Sequence, residues 1–141
     1  MAQSVDFQVL ISDPRPEMIE QWPVKGATMI QGMPDDVVRE HATDGYCAII
    51  TLAHDPRIDD MALMEALTGP AFHIGAIGSQ RTSQARVNRL KQLDLSDQQI
   101  ARLKAPVGLS IGSKSPPEIA ISIIAELVQV RKQLQLDNQR R

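Results

Sequence analysis

Short apolar runs alternate along this chain with longer stretches of helical spacing, and that alternation constrains the fold more than any other feature. Phe7-Gln-Val-Leu-Ile-Ser reads as a strand, stopped by Asp13-Pro14-Arg15-Pro16. A helix or irregular turn follows toward Trp22, and residues 27–31 form a weaker strand. Pro34 to His41 suits a helix, with proline at its first position and acidic residues in its positive first turn. Tyr46 to Leu52 is the best strand. It is continuously apolar and rich in β-branched residues, as a parallel strand covered on both faces would be.

The second half repeats the rhythm. Helix Asp59 to Leu67 ends at Gly69-Pro70, a strong stop. Phe72 to Ile77 is a strand whose glycine implies close backbone approach. Ser79 to Leu93 forms a helix, Ser96 opens a short one, and Val107 to Ile111 reads as a short strand or extended segment. Ser115, Pro116 and Glu118 write a capping box for the last long helix. Its first half is apolar all round, which predicts deep burial, and after Leu136 a polar tail should fray. The expectation is one domain, residues 1–136, with tail 137–141. Its fold class is α/β, a Rossmann-like parallel sheet with helices on both faces.

At 141 residues the chain is long enough for one independent core. Its net charge of −2 excludes a strongly basic nucleic-acid binder. That total conceals a polarity. Residues 1–70 carry 12 acidic and 4 basic side chains, whereas residues 71–141 carry 5 and 11. Such a split marks an anion site, a partner face, or oppositely charged helix faces that pack together. One cysteine, Cys47, excludes an intrachain disulfide and reads as a buried structural thiol. The first residues lack a basic start or apolar signal core, and no apolar run reaches the ~20 residues that cross a bilayer. The expected setting is cytoplasmic, with no membrane and no nucleic acid.

In open parallel sheets ligands sit beyond the carboxyl ends of the strands. That rule singles out Ser12 to Arg15, Thr51 to Asp55, and Gly75 to Thr82. Asp13 sits where a dinucleotide fold keeps its ribose acceptor, although Asp-Pro is also a common turn opener. Only 12 residues precede it, too few for a strand, a glycine-rich turn and a helix. Tight NAD or FAD binding by the isolated chain is therefore not expected. The loop Gly75-Ala-Ile-Gly-Ser-Gln-Arg-Thr is the better anion site. It joins a strand end to a helix start, with Ser79 hydroxyl and Arg81 guanidinium at hand. The bland alternative is that Ser79 caps the helix and Arg81 is merely solvated. His54 and Asp55 follow the best strand, where His54 can act as acid or base. With Asp55, Asp59 and Asp60 it can also make a cation site, or the aspartates can simply cap a helix. No metal site has a specific spacing. His41 and His73 read as structural.

These segments together resemble one family. Asp13-Pro-Arg-Pro-Glu, Thr51-Leu-Ala-His-Asp, Ile74-Gly-Ala-Ile-Gly-Ser-Gln-Arg-Thr, Ala105-Pro-Val-Gly-Leu-Ser-Ile-Gly and Ser115-Pro-Pro-Glu-Ile-Ala-Ile-Ser-Ile-Ile-Ala-Glu occur in the order found in the C-terminal domain of the XdhC/CoxI family. Those are accessory proteins of xanthine dehydrogenase and related molybdenum hydroxylases. The resemblance implies a Rossmann-like domain of a factor that binds molybdenum cofactor, presents it for sulfuration and aids its insertion. The family's N-terminal domain has no counterpart in these residues, nor has the first strand with its glycine-rich turn. The chain then reads as a shortened relative, a split subunit or a degenerate copy.

The resulting expectation is an accessory protein for a molybdenum hydroxylase, without turnover of its own. Its partner would be that enzyme or another accessory protein. Asp13, Arg15, Thr51, His54, Asp55, Gly78, Ser79 and Arg81 would line its crevice. Ser79 and Arg81 would hold the phosphate of the pterin, while Asp13 and His54 would orient polar edges. Alternatives are a small nucleotide-binding oxidoreductase completed by another chain, and a pure interaction module. Without a first strand, the Phe7–Ser12 strand should close against Tyr46–Leu52 or be held by a partner chain, most simply in a homodimer.

Overall fold

The computed structural model describes residues 1–23, 25–53 and 55–139. After a 3-10 turn at Ala2–Val5 come β1 (Leu10–Asp13), α1 (Pro16–Glu20), β2 (Thr28–Gln31), α2 (Pro34–His41) and β3 (Ala48–Thr51). The remainder is α3 (Pro56–Thr68), β4 (His73–Ala76), α4 (Gln80–Lys91), α5 (Asp97–Ala101), β5 (Leu103–Lys104) and α6 (Pro116–Gln139). Helix starts follow directly from residue type. α1, α2, α3 and α6 each open on a proline, whose fixed φ suits the first turn and whose missing N–H costs nothing there. α4 and α5 open instead behind Ser79 and Ser96, each in a complete capping box.

All strand pairing is parallel, in two sheets: β1 with β2, and β3–β4–β5. Helices cover both faces of the larger sheet. On one, Leu63, Leu67, Leu90 and Ile100 pack over Ile74 and Ala76, with Ile49 alongside. On the other, Ile123 and Leu127 of α6 pack with Val107, Ala48 and Ile50. Burial of one such leucine stabilises the fold by about 1.5–3 kcal/mol. Gly75 is required where the two meet, because a Cβ there would lie 2.3 Å from Val107 Cγ2.

The expected closure of the N-terminal strand on the Tyr46–Leu52 region does not occur. The strand begins at Leu10 rather than Phe7, and β1 pairs with β2 alone. Phe7 joins the cluster of Ala48 and Ile50 by its side chain, with Arg131 4.4 Å above its ring. Arg131 also donates to the Val5 carbonyl at 2.7 Å. The N-terminal segment is thus held by α6 and by side-chain packing on β3, not by strand pairing. Among the described residues, no side chain before Thr51 is fully buried.

Three further expectations change. Of the two readings of Val107 to Ile111 the strand falls away: the Val107 N–H reaches the Ala76 carbonyl, but the Leu109 N–H turns to the Ser122 carbonyl of α6 instead of continuing a ladder. α6 is not deeply buried in its first half. Its buried residues are Ser122, Ile123 and Leu127, and Ile121 is 50% exposed, because a sheet lies on one side of the helix only. The helix also continues through residues 137–139 instead of fraying after Leu136.

Candidate functional site

The carboxyl ends of the strands hold the candidate residues in two groups. At the end of β1, Asp13 receives three hydrogen bonds from Arg15: its N–H at 2.9 Å, Nε at 3.0 Å and Nη2 at 3.0 Å. At the start of α3 the same figure recurs, with Asp55 taking the Arg57 N–H at 3.0 Å, Nε at 3.2 Å and Nη2 at 3.0 Å. Each guanidinium holds its carboxyl below the usual carboxylate range. The signal was present in the sequence as a repeated Asp-Pro-Arg, at residues 13–15 and 55–57. Both carboxylates are paired locally with the arginine two residues on.

The second group surrounds the start of α4. The Thr51 carbonyl accepts the Ile77 N–H at 3.1 Å, which ties the ends of β3 and β4 together. Gly78 follows with φ +155°, and a Cβ there would stand 2.6 Å from Thr82 Oγ1. Ser79 Oγ accepts the Thr82 N–H at 3.1 Å, while the Ser79 N–H donates to Thr82 Oγ1 at 2.8 Å. Ser79 is therefore the helix cap. The cap leaves the Gln80 and Arg81 N–H groups pointing out of the helix end, with the Arg81 side chain exposed beside them. Close by, the Thr51 and Ser83 hydroxyls are buried without a hydrogen-bond partner among the described residues. His54 lies outside the described residues.

A buried ion-pair network braces this loop. Arg86 donates to Asp60 at 3.0 Å and to Asp59 at 3.4 Å, and Arg89 reaches Asp60 at 2.8 Å. Asp59 also accepts the Ala53 N–H at 3.1 Å, which pins the chain just past β3. Burial pushes the Asp59 carboxyl up, against the pull of Arg86. Of the cation-site alternative at His54, Asp55, Asp59 and Asp60, His54 lies outside the described residues, and arginines pair with all three carboxylates. The acidic first half and basic second half of the chain meet here, as helix faces of opposite sign. Sequence reasoning missed Arg86 because nothing local pairs residues 26 apart.

His73 is buried, and its Nε2 lies 2.8 Å from Glu126 Oε2, which also accepts the Gly108 N–H at 3.2 Å. Cys47 is partly buried, and burial raises its thiol. A cavity of about 280 Å³ lies between α2, α3 and β3, lined by Val38, Arg39, Ile49, Glu65, Ala66 and Ala71. It contains none of the candidate residues.

Comparison with known proteins agrees with this architecture. Residues 1–127 match the XdhC Rossmann domain. The chain is 28% identical over 136 residues to a probable xanthine dehydrogenase subunit of Bacillus subtilis, a match that covers 95% of this chain and 39% of that protein. It is 33% identical over 88 residues to the molybdenum cofactor insertion chaperone PaoD of Escherichia coli, covering 62% and 28%. The uncharacterized protein YqeB of Escherichia coli is 40% identical over 73 residues, 52% of this chain and 14% of its own. Among solved structures, a xanthine dehydrogenase (BH1974) from Bacillus halodurans superposes with a TM-score of 0.78 at 31% identity, over 94% of this chain and 38% of the other. The chain thus spans well under half the length of each of these relatives. A parallel α/β architecture and a match that takes in nearly all of it lead to one conclusion: the chain belongs to the XdhC Rossmann domain family.

Proposed function

We propose that this chain is an accessory protein in the maturation of a molybdenum hydroxylase of the xanthine dehydrogenase type, with molybdenum cofactor as its cargo. The observation that carries the reading is the start of α4. Two outward N–H groups and the exposed Arg81 guanidinium form a fit for a phosphate, which the pterin cofactor bears. The names of two matched relatives, a cofactor insertion chaperone and a xanthine dehydrogenase subunit, support the same cargo. The Thr51 and Ser83 hydroxyls, buried near this loop without a partner among the described residues, are further polar groups that a rearranged loop could offer. Gly78, Ser79 and Arg81 would hold the phosphate, and Thr51 and His54 would meet the pterin. Asp13, Arg15 and Asp55 would shape the crevice walls rather than bind.

The partner is the cofactor-free hydroxylase or another accessory protein, and we place the exchange in the cytoplasm. No helix among the described residues is long and apolar enough to cross a membrane. The test is retention. The chain is mixed with purified molybdenum cofactor and passed through gel filtration. Retained pterin is then read by the fluorescence of its oxidised form. Retention by the parent chain and a roughly tenfold loss in Arg81→Ala are expected, the worth of one charge-assisted contact. No retention, or retention indifferent to Arg81, would refute the reading. Retained NAD in a parallel run would favour the oxidoreductase alternative, and the elution volume reads out the expected homodimer.

A further inference from the structure

The start of α6 stands beyond the sheet. Glu126 meets the ring of His73, the first residue of β4, while the Ser122 carbonyl accepts the Leu109 N–H at 3.0 Å from the loop after β5. α6 therefore runs against the strands. The six helical residues before Ser122, at roughly 1.5 Å each, rise about 9 Å past that contact at the carboxyl end. α4 starts at the same end on the opposite face, where Leu90 packs with Ile74 and Ala76 while Ile123 packs with Ala48 and Ile50. The Val107 N–H bonds the Ala76 carbonyl at 3.0 Å, so loop 105–115 leaves the sheet beside Ile77-Gly78-Ser79. The two helix starts thus flank the end of β4.

Both starts bear a cation where a helix disfavours one. The N-terminus of a helix is partially positive, which suits Asp and Glu and repels Lys and Arg. α1, α2, α3 and α5 follow that rule, with Glu17, Asp35, Asp59 and Asp97 in their first turns. Arg15 and Arg57, which also lie at helix starts, are each held by the aspartate two residues before. α4 has no acidic residue in its first turn and has Arg81 there instead. Lys114 stands just ahead of α6. Glu118 directs Oε1 to the backbone N–H groups of Lys114 and Ser115, at 3.2 and 3.3 Å, rather than to the Lys114 ammonium. Arg81 and Lys114 are both exposed.

The loop that bears Lys114 is fixed at both ends. Gly108 donates to Glu126 at 3.2 Å and Leu109 to Ser122, and Glu118 holds the far end. A Cβ at Gly108, with φ +108°, would lie 2.4 Å from Ser122 Oγ, so this approach to α6 requires glycine. We propose that Lys114 is a second anion contact of the α4 site. Arg81 on one face of the sheet and Lys114 on the other hold one ligand that bears two separate anionic groups. The proposal rests on the reading of α4 as a phosphate site and adds the class of ligand, a molecule charged at two points rather than a lone phosphate.

The test pairs gel-filtration retention of purified molybdenum cofactor with a titration by inorganic phosphate, followed by NMR at the Gln80 and Arg81 amides. Lys114→Ala should retain about tenfold less cofactor, the loss of one charge-assisted contact, and Lys114→Arg should retain it as the parent does. Inorganic phosphate has a single charged centre, so its affinity should fall in Arg81→Ala and stay unchanged in Lys114→Ala. The urea midpoint of Lys114→Ala should not drop, because the removed cation opposes the dipole of α6. Cofactor retained equally by the parent and Lys114→Ala overturns the proposal and leaves the α4 reading standing. Phosphate affinity that falls equally in both variants overturns it too, since both cations then hold one group. No retention by the parent defeats it together with the cofactor reading, and amides indifferent to phosphate would add that α4 binds no anion.

Discussion

Ser79 and Arg81 stand two residues apart with different work, and substitution separates them. Ser79 Oγ satisfies an otherwise free N–H of α4, so Ser79→Ala should cost about 1 kcal/mol in urea unfolding. Arg81 is exposed, and Arg81→Ala should leave stability within about 0.5 kcal/mol while it lowers phosphate affinity. Asp13 gives a pH signature. Its folded pKa is depressed by the Arg15 fork, so the folded state favours the carboxylate. The stabilisation is present above the ordinary value of 3.8 and is lost as pH falls through the lower folded value. Asp13→Asn should therefore lower the urea midpoint at pH 6, and the difference should vanish near pH 2. With a partly exposed pair the effect is at most about 0.5 kcal/mol. The forks are local contacts that leave a trace as Asp-Pro-Arg, although the sequence reading there extends only to a strand stop, a turn and a helix cap. Arg86 and Arg89 leave none, because their partners come from another helix.

Elements were legible to the extent that their ends are chemical. Pro34, Ser79, Ser96 and Pro116 mark helix starts by what they do to the first turn, and the structure starts helices there. Burial of α6 was misjudged for a physical reason: an apolar circumference says what a helix tolerates, not how many neighbours it has. What fixes α6 to the sheet is partly polar. Glu126 takes both the His73 ring and the Gly108 N–H in a nearly closed site, His73 being 2% exposed. Glu126→Ala should leave both partners buried and unsatisfied, at a cost of about 2–3 kcal/mol in denaturant unfolding. Glu126→Gln, which keeps an acceptor, should recover at least half of that loss. Equal losses in the two variants would mean that packing, not the polar contact, docks the helix.

For the whole molecule, alternation of apolar runs with helices correctly implied parallel strands covered on both faces. It carried no information on which strands become neighbours, and there the expected single sheet became two. That division has a thermodynamic consequence. A continuous sheet makes every strand's loss felt by its neighbours, so a small domain melts as a unit. Here the β1–α1–β2 half touches the rest mainly through α2, Phe7 and the Arg131 grip on Val5, without a fully buried residue of its own among the described residues. Calorimetry of the free chain should give a van't Hoff enthalpy well below the calorimetric one, with residues 1–31 losing structure at the lower temperature. Coincident melting of both halves would refute this. The molecule then has two separable cooperative units, and the temperature interval between their transitions measures how weakly they are coupled.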